Sequence, residues 1–273
     1  MEEPSQFANL RLERRNRVGW LWLDRPDKHN ALSAQMWVDI PRAVAELADD
    51  DEVRVVVVAG RGPSFTVGID VAMLMSLQPE GASVAVQKRQ LMGEIKRLQA
   101  TMTSFAECPK PVIAAIHGYC LGAGMDLITA CDIRLAAADA VFSVRETRLA
   151  LVADVGTLQR LPRLVAAGHA AELVYTGADI DAARAEKLGL VNDVHPDAAA
   201  LHSAAQALGE AIAVNSPLAV QGSKSVMRAG EQLSTDQALE HVALWNAAFL
   251  HSNDLQEAFA SFTEKRDADF TGT

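Results

Sequence analysis

The chain has 273 residues, 49% of them hydrophobic and 22% charged. That balance suits one large folded domain or two small ones and excludes wholesale disorder, collagen-like repeats and coiled coil. With 25 Lys and Arg against 35 Asp and Glu, the formal net charge is -10, which opposes attraction to nucleic acid and to anionic membrane surfaces.

No apolar run approaches the roughly 18–20 residues that span a bilayer, so no membrane partner is expected. The acidic opening MEEPSQFANL lacks the apolar core of a secretory leader, and the expected address is cytoplasmic. Cys108, Cys120 and Cys131 have no CxxC spacing and no histidines at ligand spacing, so neither a disulfide framework nor a metal site is encoded. They read as small buried hydrophobes of a reducing compartment.

In chain order, short apolar runs alternate with helical patterns, the mark of strands joined by crossover helices and hence of an α/β fold. Residues 18–23 (VGWLWL), 53–59 (VRVVVVA), 112–117 (VIAAIH) and 132–136 (DIRLA) are the strand candidates, the valine run at 55–58 suiting a strand covered on both faces. Residues 33–48 read as a helix capped by Ser33, with Pro41 expected to kink it at a cost of about 3 kcal/mol if unrelieved. Residues 87–105 carry Leu91, Ile95, Leu98 and Met102 on one helical face. Beyond 195 the strand patterns stop, and 198–213, 218–229 and 234–265 read as consecutive helices. This divides the chain into an α/β core, 1–195, and a helical region, 196–273, with the hinge at 195–217. Leu239, Val242, Leu244, Trp245, Phe249 and Leu250 give the last helix more apolar surface than a lone exposed helix carries, so it needs a partner surface.

The chemistry concentrates in three places. GxSxG, SxxK, HExxH and GxxxxGK[ST] are absent. In HGYCLGAGMDLITACD, residues 117–132, a strand runs through Gly118, Gly122 and Gly124 into a short apolar helix. Unpaired N–H groups at such a helix start suit an anion or an oxyanion, although a turn that merely packs would look the same. SFTVGI, residues 64–69, is a second small-residue turn whose Gly68 can aim the Ile69 N–H into a cavity, and two such donors on one oxygen stabilise an enolate by about 2.7–4 kcal/mol each. Third, Asp126, Glu146 and Asp154 stand among apolar neighbours. Singly, each reads as readily as a surface ion pair, Glu146 with Arg145 or Arg148, or as a helix cap in the case of Asp154. Together they suit proton exchange with a carbon acid near neutral pH.

These segments resemble the crotonase, or enoyl-CoA hydratase/isomerase, superfamily over nearly the whole chain. KPVIAAIHGYCLGAGMDLITACDIRLAAADAVFSV from Lys110 is similar to its signature block, RPDKHNAL at 25–32 to its early CoA loop, FTVGID at 65–70 to its first oxyanion turn, and FTEKRDADF at 262–270 to its C-terminal helix. Within it, VRETRLALVADVGTLQRLP at 144–162 is most similar to Δ3,5-Δ2,4-dienoyl-CoA isomerases, whose acid pattern is aspartate, glutamate, aspartate. Hydratases have a glutamate at both of the first two acid positions and a glycine where Asp154 stands.

The resemblance implies a spiral of ββα units with a helical trimerisation region, assembled as a trimer or a dimer of trimers. It implies an acyl-CoA thioester substrate and no cofactor beyond the CoA of that substrate. Ile69 and Ala123 would supply the oxyanion N–H pair, and Glu146, Asp154 and Asp126 the acid–base chemistry. Lys28 and Ala31 of the early loop would contact CoA, and Phe262 and Lys265 a neighbouring subunit's CoA. The lysine that many hydratases use for the CoA phosphates is replaced by Ala72. Three readings follow: a dienoyl-CoA isomerase, an enoyl-CoA hydratase, and a catalytically weak acyl-CoA-binding scaffold.

Overall fold

The computed structural model describes residues 7–76 and 83–273. Its strands are β1 (Leu10–Arg15), β2 (Val18–Leu23), β3 (Val55–Gly60), β4 (Val112–Ile116), β5 (Tyr119–Leu121), β6 (Ile133–Ala137), β7 (Val141–Ser143), β8 (Ile180–Asp181) and β9 (Asp193–His195). A six-stranded sheet runs β1-β2-β3-β4-β6-β9, parallel except for the β1–β2 hairpin, and a three-stranded sheet runs β5-β7-β8.

Helices α1 (Ala34–Asp49), α2 (Val71–Ser76), α3 (Val84–Glu107), α4 (Ala123–Ala130), α5 (Thr157–Leu164), α6 (Ala167–Thr176) and α7 (Ala182–Leu188) intervene. The repeat is visible in β4-β5-α4 and again in β6-β7-α5, each putting its first strand in the large sheet and its second in the small one. After β3 the chain makes the same move with a single bridge, Thr66 to Cys120. This is the expected ββα spiral.

Because side chains alternate along a strand, the large sheet buries two separate sets. Val56, Val58, Ala114 and Ile116 pack with Met36, Trp37, Phe105 and Leu127 from α1, α3 and α4. Val55, Val57, Ile113 and Ala115 pack with Trp20 and Trp22 and with Leu201 and Ala205 of α8 (Ala198–Ala213). The valine run is thus covered on both faces, as its pattern requires, and the first helix beyond residue 195 forms one of the covers.

Two local expectations are corrected. Helix α1 starts at its Ser33 cap and runs unbroken through Pro41. Proline leaves the carbonyl one turn back without a donor, and the Thr101 hydroxyl of α3 supplies it, 2.8 Å from Trp37 O. Residues 234–265 are not one helix. After α9 (Pro217–Gly230), α10 (Thr235–Phe249) ends and α11 (Asn253–Glu264) begins at a new cap, the Ser252 hydroxyl accepting from Leu255 N. Within the chain α10 buries no residue, leaving Leu239, Leu244, Phe249 and Leu250 exposed. All three cysteines are free and buried, and no helix among the described residues is long and apolar enough to cross a membrane.

Candidate active site

The second and third segments of the spiral bring the two glycine turns together. Residues 66–69 lie between the early loop and β5. Leu32 N donates to Gly68 O at 2.7 Å and Asp70 N to Leu32 O at 3.0 Å on one side, while Thr66 N donates to Tyr119 O and Leu121 N to Thr66 O on the other. This pairing turns the intervening Ile69 N–H away from Leu32. Gly68 has φ +90°, and a Cβ there would sit 2.7 Å from Leu121 O and 3.1 Å from Ala123 N, so only glycine permits both the turn and this approach. Ala123 is the first residue of α4, where an N–H has no partner within the helix. Among the described residues neither the Ile69 nor the Ala123 N–H donates to another group of the chain. Two free donors therefore stand on adjoining backbone segments.

Asn30 fixes the early loop. Fully buried, it accepts from Arg25 N and donates to Arg61 O and Ser64 O. Arg25 reaches Ala31 O and forms a 2.5 Å ion pair with Asp70, which holds that carboxyl below the usual range. Ala31 is buried here and Lys28 exposed at the end of a short 3-10 turn. Ala72, where a phosphate-binding lysine was missing, is exposed on α2. Phe262 and Lys265 are exposed on and just after α11, and no described contact of the chain joins them to the early loop. The acyl-side segment 73–97 is only partly described, residues 77–82 lying outside the described residues.

The three acids meet beside the oxyanion turn. Asp126, on α4 and 1% exposed, accepts the Thr157 N–H of α5 at 2.6 Å, which serves as the side-chain cap that Gly156 cannot give that helix. Burial pushes Asp126 up to about 6, against this hydrogen bond and the nearby Arg160 charge. Glu146 begins a 3-10 turn after β7. Its Oε1 lies where a side chain on Gly122 would make 3.2 Å contact, and its Oε2 is buried without a partner. Burial, then the negative charges of Asp126 and Asp154, push Glu146 up to about 7. Asp154 is also raised by burial, and α3 steadies its backbone through Gln99 Nε2 to Asp154 O at 2.7 Å.

Asp154 is exposed, as a surface acid would be, but the ion-pair and helix-cap explanations do not hold. Arg145 pairs with Asp179 at 2.8 Å, Arg148 forms no described ion pair with Glu146, and Asp154 does not cap α5. Arg160 and Thr157, which sequence reasoning passed over, complete the cluster. The buried Thr157 hydroxyl lies beside the Asp126 carboxyl and has no partner elsewhere, and Arg160 Nη1 is buried without one. The ensemble sets two N–H donors for an oxyanion beside the buried Asp126, the half-buried Glu146 and the exposed Asp154, carboxyls whose raised values suit proton exchange with a carbon acid.

The sequence model of the family described as Enoyl-CoA hydratase/isomerase matches residues 13–273. A peroxisomal Delta(3,5)-Delta(2,4)-dienoyl-CoA isomerase of Arabidopsis thaliana is 41% identical over 99% of this chain and 98% of its own length. A mitochondrial protein of the same name from Dictyostelium discoideum is 41% identical over 97% and 92%. A crystal structure of an enoyl-CoA hydratase from Bacillus anthracis superposes with a TM-score of 0.89 at 31% identity, covering 97% of this chain and 100% of that one. With the spiral and the paired turns in place, these matches settle the membership: the chain belongs to the enoyl-CoA hydratase/isomerase family.

Proposed function

We propose that the protein is a Δ3,5-Δ2,4-dienoyl-CoA isomerase. The observation that carries this reading is the third acid: Asp154 lies close enough to Glu146 and Asp126 to raise both, which gives one cluster two exchangeable carboxyls besides a buried third. The full-length similarity to isomerases of that name supports it.

In this reading the thioester oxygen of a 3,5-dienoyl-CoA accepts from the Ile69 and Ala123 N–H groups, and Glu146 removes a proton from C2. The electron pair of the broken C–H bond spreads through the dienolate, whose charge the two donors hold. The reactive form is the one in which the Glu146 and Asp154 pair holds a single proton and Asp154 carries it; that proton goes to C6, and the double bonds settle at C2 and C4. Glu146 has gained one proton and Asp154 lost one, and solvent restores both. This chemistry asks for no metal and no cofactor beyond the CoA of the substrate. Asp126 takes no part in the transfer: it is buried and its Oδ1 is engaged by Thr157 N. That placement also speaks against a hydratase, since an aspartate set back by about one C–C bond, ~1.5 Å, does not position an attacking water well.

Lys28 and Ala31 line the CoA side of the early loop in this reading. Phe262 and Lys265 serve a neighbouring subunit's CoA in a trimer or dimer of trimers, which the exposed apolar face of α10 supports. We propose a cytoplasmic address; the three free, buried cysteines fit any reducing compartment, the relatives' names place those proteins in mitochondria or peroxisomes, and cell fractionation decides.

The deciding experiment offers purified protein a 3,5-dienoyl-CoA and crotonyl-CoA in an ultraviolet assay. Rapid isomerisation with little or no hydration is expected, with kcat/KM rising as pH passes about 7, where Glu146 loses its proton. Rapid hydration with no response to the dienoyl thioester overturns the reading. Slow turnover of both with tight binding indicates a scaffold.

A further inference from the structure

Asp126 is left without a step of its own, yet its surroundings are more specific than a filler's. One turn of α5 addresses it: Thr157 N at 2.6 Å, the Thr157 hydroxyl beside it, and Arg160, whose positive charge acts on the carboxyl. Among the described residues Arg160 makes no direct ion pair. Its Nη2 donates to Thr103 of α3 at 2.9 Å, while Nη1 is buried and unpartnered. The guanidinium lies across Gly156, which has φ +135° and where any Cβ would collide with it. A glycine in that conformation immediately before Thr157 thus makes room for Arg160 and aims the Thr157 N–H at the same time. A buried guanidinium atom left without a partner is costly, and here it keeps positive charge behind a carboxylate that faces the base.

We propose that Arg160, acting with the Thr157 N–H, is a positioning residue that holds Asp126 as a fixed buried anion behind Glu146. Asp126 then works on the reaction through its charge and place rather than by exchanging protons with substrate. The proposal rests on the isomerase reading of the site.

Glu146 feels Asp126 and Asp154, and Asp126 feels Arg160 and Asp154 and faces the buried Cys120 thiol of β5. Arg160 feels Asp126 and Cys131 from α4 and its end, and Arg228 and Glu231 from α9 and its end. Removing the Arg160 charge lets Asp126 take up a proton more readily. A neutral Asp126 no longer repels a charge on Glu146, so Glu146 ionises at lower pH.

The test is the pH dependence of kcat/KM for a 3,5-dienoyl-CoA in the intact protein and in Arg160→Met, Arg160→Lys, Asp126→Asn and the double variant of Met and Asn. The acidic limb is expected to move down by about 0.5–1 pH unit in Arg160→Met and in Asp126→Asn, no further in the double variant, and to stay near its original position in Arg160→Lys. A limb that stays put in an active Asp126→Asn variant overturns the proposal, as do shifts that add in the double variant. If Arg160→Met fails to fold, the Asp126→Asn and Arg160→Lys profiles decide between the same outcomes. Failure of the isomerase reading looks different, because the unsubstituted protein is then inactive on the dienoyl thioester at every pH.

Discussion

Two regions of this molecule bury charge, and they treat it in opposite ways. At the end of the large sheet, Arg134 spends its donors on Leu190 O and Cys131 O, both at 2.7 Å, and Lys110 on Leu47 O at 2.9 Å and Asp50 O at 2.7 Å. Each cation is matched to backbone carbonyls, although Asp50 O also accepts the Val53 N–H at 2.9 Å. At the edge of α4 and α5, Glu146 Oε2 and Arg160 Nη1 are buried with no partner. Among the described residues the carboxylate and guanidinium atoms in that state belong only to Arg145, Glu146 and Arg160. Since folding leaves few such groups unmatched, the first region holds the fold and the second keeps unspent capacity for a ligand. His117 and His202 show that the contrast concerns charge: each buries an unpartnered ring nitrogen, but His202 packs on Trp20 and Trp22 and burial first, then His117 and Arg15, lower it to about 4, so it is neutral.

The contrast breaks most visibly if the unmatched carboxyl of Glu146 and its neighbour Asp154 prove idle. Glu146→Gln is expected to cost 3,5-dienoyl-CoA isomerisation about 10²–10⁴-fold, the usual contribution of a positioned acid or base. Asp154→Asn should cost nearly as much while CoA-ester binding, followed by calorimetry, stays close to that of the unsubstituted protein. A loss below about threefold in either removes that residue from the mechanism.

Next in size is the backbone that aims the donors. Gly68→Ala puts a Cβ at φ +90° and 2.7 Å from Leu121 O. The resulting shift of the Ile69 N–H is expected to lower kcat about 10²-fold or more, as loss of one oxyanion donor does, with KM less affected. An unchanged kcat means the turn only packs.

The same unmatched carboxyl leaves a mark on stability. Glu146 is raised from the ordinary 4.5 to about 7 in the folded protein, so its protonated form favours folding: that contribution is complete below the unfolded value and is lost as pH rises through about 7. Asp126, raised to about 6, has the same sign and remains in the variant. Glu146→Gln should therefore gain stability relative to the unsubstituted protein on going from pH 5 to pH 8, by an amount on the order of 1–2 kcal/mol after solvent screening. Urea unfolding at the two pH values measures it, and a constant difference would mean Glu146 is as well hydrated folded as unfolded.

Much of this division was legible in the sequence because it depends on local chemistry. The valine run announced a doubly covered strand, the spaced glycines announced two turns with spare N–H groups, and acids among apolar residues announced shifted carboxyls. The assignment of Lys28, Ala31, Phe262 and Lys265 came only through family resemblance, since an exposed lysine or phenylalanine carries no local signal. Arg160 was illegible for a different reason: LQRLP reads as an ordinary helix, and only the packing of α5 on α4 tells which carboxyl it faces. Strands β5, β7 and β8, of two or three residues, are too short for alternation to register. The break between α10 and α11 turned on Ser252 as a cap within a long apolar pattern.

The smallest effect tests the matched kind of group where sequence reasoning expected a kink. Pro41 gives Trp37 O no N–H, and Thr101, 1% exposed, covers that carbonyl at 2.8 Å while also lying 3.2 Å from Arg97 O. Thr101→Val keeps the shape and removes the donor, so a buried carbonyl loses its partner at a cost of about 1–2 kcal/mol. In a Pro41→Ala background the restored N–H at position 41 can return to Trp37 O, and the same threonine substitution should cost less than half as much. A double-mutant cycle read by urea unfolding isolates this coupling. Equal costs in both backgrounds would show that Thr101 only fills space and that the helix tolerates its proline unaided.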